Sequence, residues 1–142
     1  MDIDPYDLER FVAAQQGIYE EALSEIRAAR KRSHWMWFVF PQVLGLGSSA
    51  AAKRYAIRSR AEAEAYLAHP VLGARLRECA EAVVRIDGRS AMQIFGYPDE
   101  LKLRSCATLF ASVSAEGSVF HRLLDKCFTG ERDPLTLAAL NG

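Results

Sequence analysis

The chain of 142 residues is poor in cysteine and histidine, has no long hydrophobic run, and carries no excess of charge of either sign. Each shortage removes a class of protein. The three cysteines, Cys79, Cys106 and Cys127, are odd in number, far apart and embedded in apolar helical patterns. They read as buried thiols of a reducing compartment, not as a disulfide framework. The three histidines, His34, His69 and His121, form no HxxxH, HExxH or Cys–His pattern, so no metal site is expected. The longest apolar run, Trp35 to Phe40, is far shorter than a membrane span. The opening MDIDPYDLERF has acidic residues where a signal peptide would be basic and then apolar. A cytoplasmic location without a membrane partner is the expectation. Lys plus Arg and Asp plus Glu both number 18, so no net field draws the molecule to nucleic acid, which ranks low among its partners. A GxSxG elbow, a Walker loop and a full GxGxxG are all missing, and no cofactor is expected. Nothing in the pattern specifies an oligomeric state.

What is present is the composition of a folded protein, half apolar and one quarter charged. Asp4-Pro5 reads as a helix start, and Leu8, Phe11, Val12, Tyr19, Ala22, Leu23 and Ile26 recur at helical spacing around a break at Gly17. Ser59-x-x-Glu62 is a capping box, with Glu62 most simply a capping residue, and His69-Pro70 interrupts the helix that follows. Leu72, Leu76, Cys79, Ala80 and Val83 make another amphipathic face, as do Leu103, Cys106, Ala107, Phe110 and Val113. Asp133 caps a last short helix from Pro134. Alternation suited to a strand is confined to the ambiguous stretch Trp35 to Val43. The expected fold is all-α, a single-domain orthogonal bundle over residues 1–142 with about six to eight helices.

The segment SHWMWFVFPQ, Ser33 to Gln42, is the densest in special residues. One reading makes it core, since large aromatics dominate core energetics. The core reading leaves unexplained the polar groups at its ends, Arg32 and His34 before and Gln42 after. Trp35 or Trp37 would stack on a planar ring, and Gln42 would read its edge. The turn Gly45 to Ser49 leads into a helix start where an anion is favoured, although such a turn also serves simply as a cap. Basic residues at Arg27 to Arg32 and at Lys53 to Arg60 read first as solvated helix surface, and second as an anion site. Lys102 falls at the edge of an apolar face, where it either snorkels to water or points into a pocket.

The runs KRSHWMWFVFPQVLGLGSSAAAKRYAI, AYLAHPVLGARL and IFGYPDELKLRSCATLF resemble the bacterial domain-of-unknown-function 1810 family over nearly the whole chain. The resemblance implies a mainly α-helical fold and transfers no catalytic residue. Some members carry the label calpastatin, after a protease inhibitor built of extended polar segments. Half of this chain is apolar and patterned for a core, and that label is discounted. A looser similarity, resting on aromatic and polar clustering, is to small domains proposed to act on NAD- or ADP-ribose-derived compounds. The favoured expectation is therefore a nucleotide- or ADP-ribose-like small molecule held by Trp35 or Trp37, by Gln42, and by Arg32, Lys102 or the Ser48-Ser49 turn. If the site is catalytic, His34 or Asp99 transfers the proton. The alternative is a non-catalytic protein-interaction module that exposes the same aromatic segment.

Overall fold

Asp4 takes up its capping role at one remove. In the computed structural model, which describes residues 3–141, its carboxylate accepts the N–H groups of Leu8 (2.8 Å) and Glu9 (3.0 Å), so the first helix opens at Glu9 and not at Pro5. These two donors hold the Asp4 carboxyl below its ordinary range. Met1, Asp2 and Gly142, the ends of the expected 1–142 domain, lie outside the described residues.

Among the described residues ten helices follow in order: α1 (Glu9–Gln15), α2 (Tyr19–Arg27), α3 (Met36–Val39), α4 (Ala50–Arg54), α5 (Arg60–Ala68), α6 (Leu72–Val84), α7 (Ala91–Phe95), α8 (Asp99–Ala111), α9 (Val119–Phe128) and α10 (Pro134–Asn141). The fold is all-α, with more helices than periodicity foresees. α4 and α7 fall on two stretches that suit short helices, SAAAKRYAI from Ser49 and Ser90 to Phe95, whereas α3, a single turn, is too short for a 3.6-residue period to repeat and lies where only an irregular path is expected. Gly17, at φ +77°, separates α1 from α2 in a conformation that only glycine adopts freely.

One apolar cluster runs through these helices, with Phe11, Ile26, Trp35, Tyr66, Leu72, Leu76, Leu103, Phe110 and Phe120 all fully enclosed. α8 lies at its centre, against α9, α10, α7 and α5. It buries polar residues as well as apolar ones, Glu100, Ser105 and Thr108 among them, so it is not the one-faced helix that the spacing of Leu103 to Phe110 suggests. The Thr108 hydroxyl donates to the Arg104 carbonyl four residues earlier (2.8 Å), and the Ser105 hydroxyl lies 3.1 Å from both the Leu101 carbonyl and Asp133 Oδ2, between which its one proton is shared.

HPVLGARL is the corner between α5 and α6. His69 Nδ1 accepts the N–H groups of Val71 (3.1 Å) and Leu72 (3.2 Å), a histidine cap that precedes α6. Gly73 packs so tightly that a Cβ there would lie 2.1 Å from the Leu67 carbonyl oxygen. Glu62 does more than cap α5: it pairs with Arg10 at 2.8 Å in a nearly buried ion pair and accepts the Arg58 N–H at 3.2 Å. The ambiguous stretch before Val43 becomes α3 and a parallel bridge, in which Ile57 N donates to Gln42 O and Leu44 N to Ile57 O, both at 2.8 Å. That bridge pins Gln42 and Leu44 and fixes the loop from Gly45 to Ser49 between them and α4. Among the described residues no helix is long and apolar enough to cross a membrane.

Candidate functional site

The aromatic segment divides between core and surface. In α3 the helical turn sends Trp35, Met36, Val39 and Phe40 inward, while Trp37 and Phe38 are half-buried. Trp35 is 0 % exposed, with Phe40 and Phe95 rings each 6.3 Å away and its indole N–H donating to Glu25 at 3.0 Å. No face of it is free for a ligand ring. Arg32 and His34 are exposed and lie outside the cleft described below, although the Arg32 backbone N–H donates to Glu25 at 2.8 Å.

Trp37 instead forms one wall of an open cleft of about 600 Å³, within the size range of small-molecule sites. Gln42, the loop Leu46 to Ser49 and Ala52 make the adjoining wall, and Leu101, Lys102, Arg104 and Ser105 of α8 face them, with Asp133 and Leu135 closing one end. Five of the expected ligand contacts, Trp37, Gln42, Ser48, Ser49 and Lys102, thus share one concavity. The loop crosses close to α4, since a Cβ on Gly47 would stand 2.7 Å from that of Ala52. Ser49 Oγ is engaged as the cap of α4, accepting the Ala52 N–H at 3.1 Å. α4 has only five residues, so little macrodipole accumulates to hold an anion there. The Gln42 side-chain amide makes no hydrogen bond among the described residues, leaving both its donor and its acceptor for the cleft.

Lys102 neither simply snorkels nor stands free. Its ammonium lies 4.7 Å over the Trp37 ring and 3.3 Å from Asp99 Oδ1. The other Asp99 oxygen is 2.8 Å from Lys31 Nζ, which lies 4.9 Å over the Trp35 ring. Asp99 therefore joins two lysine–tryptophan pairs, and Lys31, 7 % exposed, is no part of a solvated basic face. Asp99 thus holds both ammonium groups against the indole rings.

Three contributors escape the reading of the sequence. Arg104 donates through Nη2 to the Arg132 carbonyl at 3.2 Å, but its Nε is buried without a partner among the described residues. Asp133 Oδ2 accepts from the Ser105 hydroxyl (3.1 Å), the Thr136 N–H (3.1 Å) and the Thr136 hydroxyl (2.5 Å), while no donor among the described residues meets Oδ1. The available signal was an arginine and a serine beside Lys102 on an otherwise apolar helix, yet nothing local links them to a cap twenty-eight residues on.

A second cavity, about 620 Å³, gathers Lys53, Arg54 and Arg58 around the Arg10–Glu62 pair. There the Arg10 guanidinium is spent on the carbonyls of Tyr6, Asp7, Arg54 and Ala56 and on Glu62, which marks it as a structural clasp.

Fold and cleft together define an all-α protein with a tryptophan-walled concavity that holds lysine and arginine donors. Residues 5–140 match the family described as protein of unknown function DUF1810, and the chain belongs to that family. Its structure is similar to the crystal structure of the conserved hypothetical protein Rv1873 from Mycobacterium tuberculosis, with a TM-score of 0.96 and 52 % identity, covering 98 % of this chain and 99 % of that one. No curated protein matches the chain.

Proposed function

We propose that the cleft binds a phosphorylated, nucleotide-like small molecule. The observation that carries this reading is the convergence of two cationic side chains, Lys102 and Arg104, on a cavity with one indole wall and a free amide. An anion entering between them gains charge-assisted hydrogen bonds from both side chains. The Lys102 ammonium lies over the Trp37 face. A phosphate draws it aside, and the uncovered indole then stacks on the base while Gln42 meets the base edge. His34 is too exposed and too far outside the cleft to serve this ligand, and Asp99 is committed to Lys31 and Lys102, so the reading is of binding and assigns no reaction. Free thiols at Cys79, Cys106 and Cys127 fit a cytoplasmic setting for such a ligand.

Thermal-shift titration with AMP, ADP, NAD and ADP-ribose tests the proposal. At least one should raise Tm in a saturable way and change the Trp37 emission, and Lys102→Ala should lose the effect. The absence of any shift at millimolar ligand removes the proposal.

The rival reading, a protein-interaction module, now draws its support from the cleft's rim, where Leu101 is 44 % and Leu135 66 % exposed. Burial of most of the aromatic segment counts against its original form. Solution mass at high concentration discriminates, because a concentration-dependent dimer abolished by Leu135→Glu favours the interface.

A further inference from the structure

The end of the cleft formed by Arg104, Ser105 and Asp133 contains a carboxylate that an anion site alone does not need. Asp133 Oδ2 is saturated by three donors from Ser105 and Thr136, which orient the carboxylate, and Oδ1 is left without a donor. Asp133 N donates to the Thr108 hydroxyl at 3.0 Å, so the backbone beneath is tied to α8 as well. Arg104 lines the same cavity, and among the described residues no ion pair joins it to Asp133. A fixed acceptor and a fixed cationic donor that do not neutralise each other select a ligand bearing both an anion and a hydroxyl.

We infer that Asp133 Oδ1 receives the ribose hydroxyls of a 5′-phosphorylated ribonucleoside whose phosphate lies on Arg104 and Lys102. The inference rests on the nucleotide reading of the cleft and adds to it a sugar specificity. A half-buried carboxylate oriented to accept a hydroxyl loses a charge-assisted hydrogen bond when the hydroxyl is absent, and that loss discriminates more strongly than a missing apolar contact. A deoxy sugar should therefore bind more weakly, whereas the phosphate contributes equally to both.

Calorimetric titration of the full chain with ADP and with 2′,3′-dideoxy-ADP, at one ionic strength, tests this. Wild type should bind ADP roughly tenfold or more tightly than the dideoxy analogue. Asp133→Asn keeps an acceptor to cap α10, and asparagine is a good cap, so the fold should persist. In that variant the preference should shrink to about twofold or less while affinity for the dideoxy analogue is held or raised, since a negative charge has left the site. Arg104→Met should weaken both ligands by the same factor. Equal affinity of wild type for the two ligands overturns the sugar specificity and leaves the nucleotide site standing. Failure of wild type to bind either one overturns both. If Asp133→Asn does not fold, the wild-type comparison decides alone.

Discussion

Glu25 collects four hydrogen bonds, from the Arg32 and Ser33 N–H groups, the Ser33 hydroxyl and the Trp35 indole, and so ties the end of α2 to the segment entering α3. Partial burial pushes its carboxyl upward, but these donors outweigh it and bring the pKa from 4.5 down to about 2. A carboxyl depressed on folding stabilises the protein fully above the unfolded value and loses that contribution as pH falls from about 4.5 to about 2. Solvent screening keeps the loss to on the order of 1–2 kcal/mol. Urea melts at pH 6, 4 and 3 should show it, and Glu25→Gln should lower stability at pH 6 while flattening the fall below pH 4.5. The two tryptophans should separate equally clearly. Trp35→Ala empties a fully buried site and should cost about 3–5 kcal/mol. Trp37→Ala, at a half-buried position, should cost about 1 kcal/mol or less, yet abolish nucleotide-induced stabilisation. Chemical denaturation of both variants with and without ADP checks the pair.

Among the helical elements, the α5–α6 corner shows how a distinctive sequence block arises without a ligand. His69 supplies the cap, and Gly73 permits the approach to Leu67. Gly73→Ala adds a methyl where no space exists and should destabilise by about 1–3 kcal/mol despite the better helix propensity of alanine, as measured by the shift in urea midpoint. α3 is the opposite case. It has one turn and no side-chain cap, and it is tied to the rest of the fold by packing, by the Lys102 ammonium over Trp37 and by the Gln15 amide, which donates to the Phe38 carbonyl at 2.7 Å. Its length leaves no periodic signal, so α3 could be foreseen only as an irregular aromatic path.

At the scale of the whole molecule, the three thiols report on the core. Burial pushes the Cys79 thiol up to about 12 and raises those of Cys106 and Cys127 as well. Cys127 is half-buried and not enclosed as its apolar setting suggests, so in native protein at pH 8 it should react first with a thiol reagent, while Cys79 and Cys106 should react only on opening, slowest at Cys106, and all three at once in guanidinium. Fast modification of Cys79 or Cys106 without denaturant would contradict the packing described for α6 and α8.

The sequence alone sets the all-α class, most helix starts and the aromatic segment whose Trp37 and Gln42 line the cleft. Caps and apolar spacing act over a few residues, and Ser59, Ser90 and Ser118 each accept the N–H three residues on. It also placed Trp37, Gln42 and Lys102 among the candidates, because a polar residue at the edge of an apolar face is conspicuous. Which tryptophan faces the cleft was left open, for one helical turn carries both, and only packing against Phe95 and Glu25 sends Trp35 inward. Arg104 and Asp133 are ordinary residues until α8 and α10 meet. Their partnership is a matter of long-range proximity, which burial of the common core decides and no local pattern encodes.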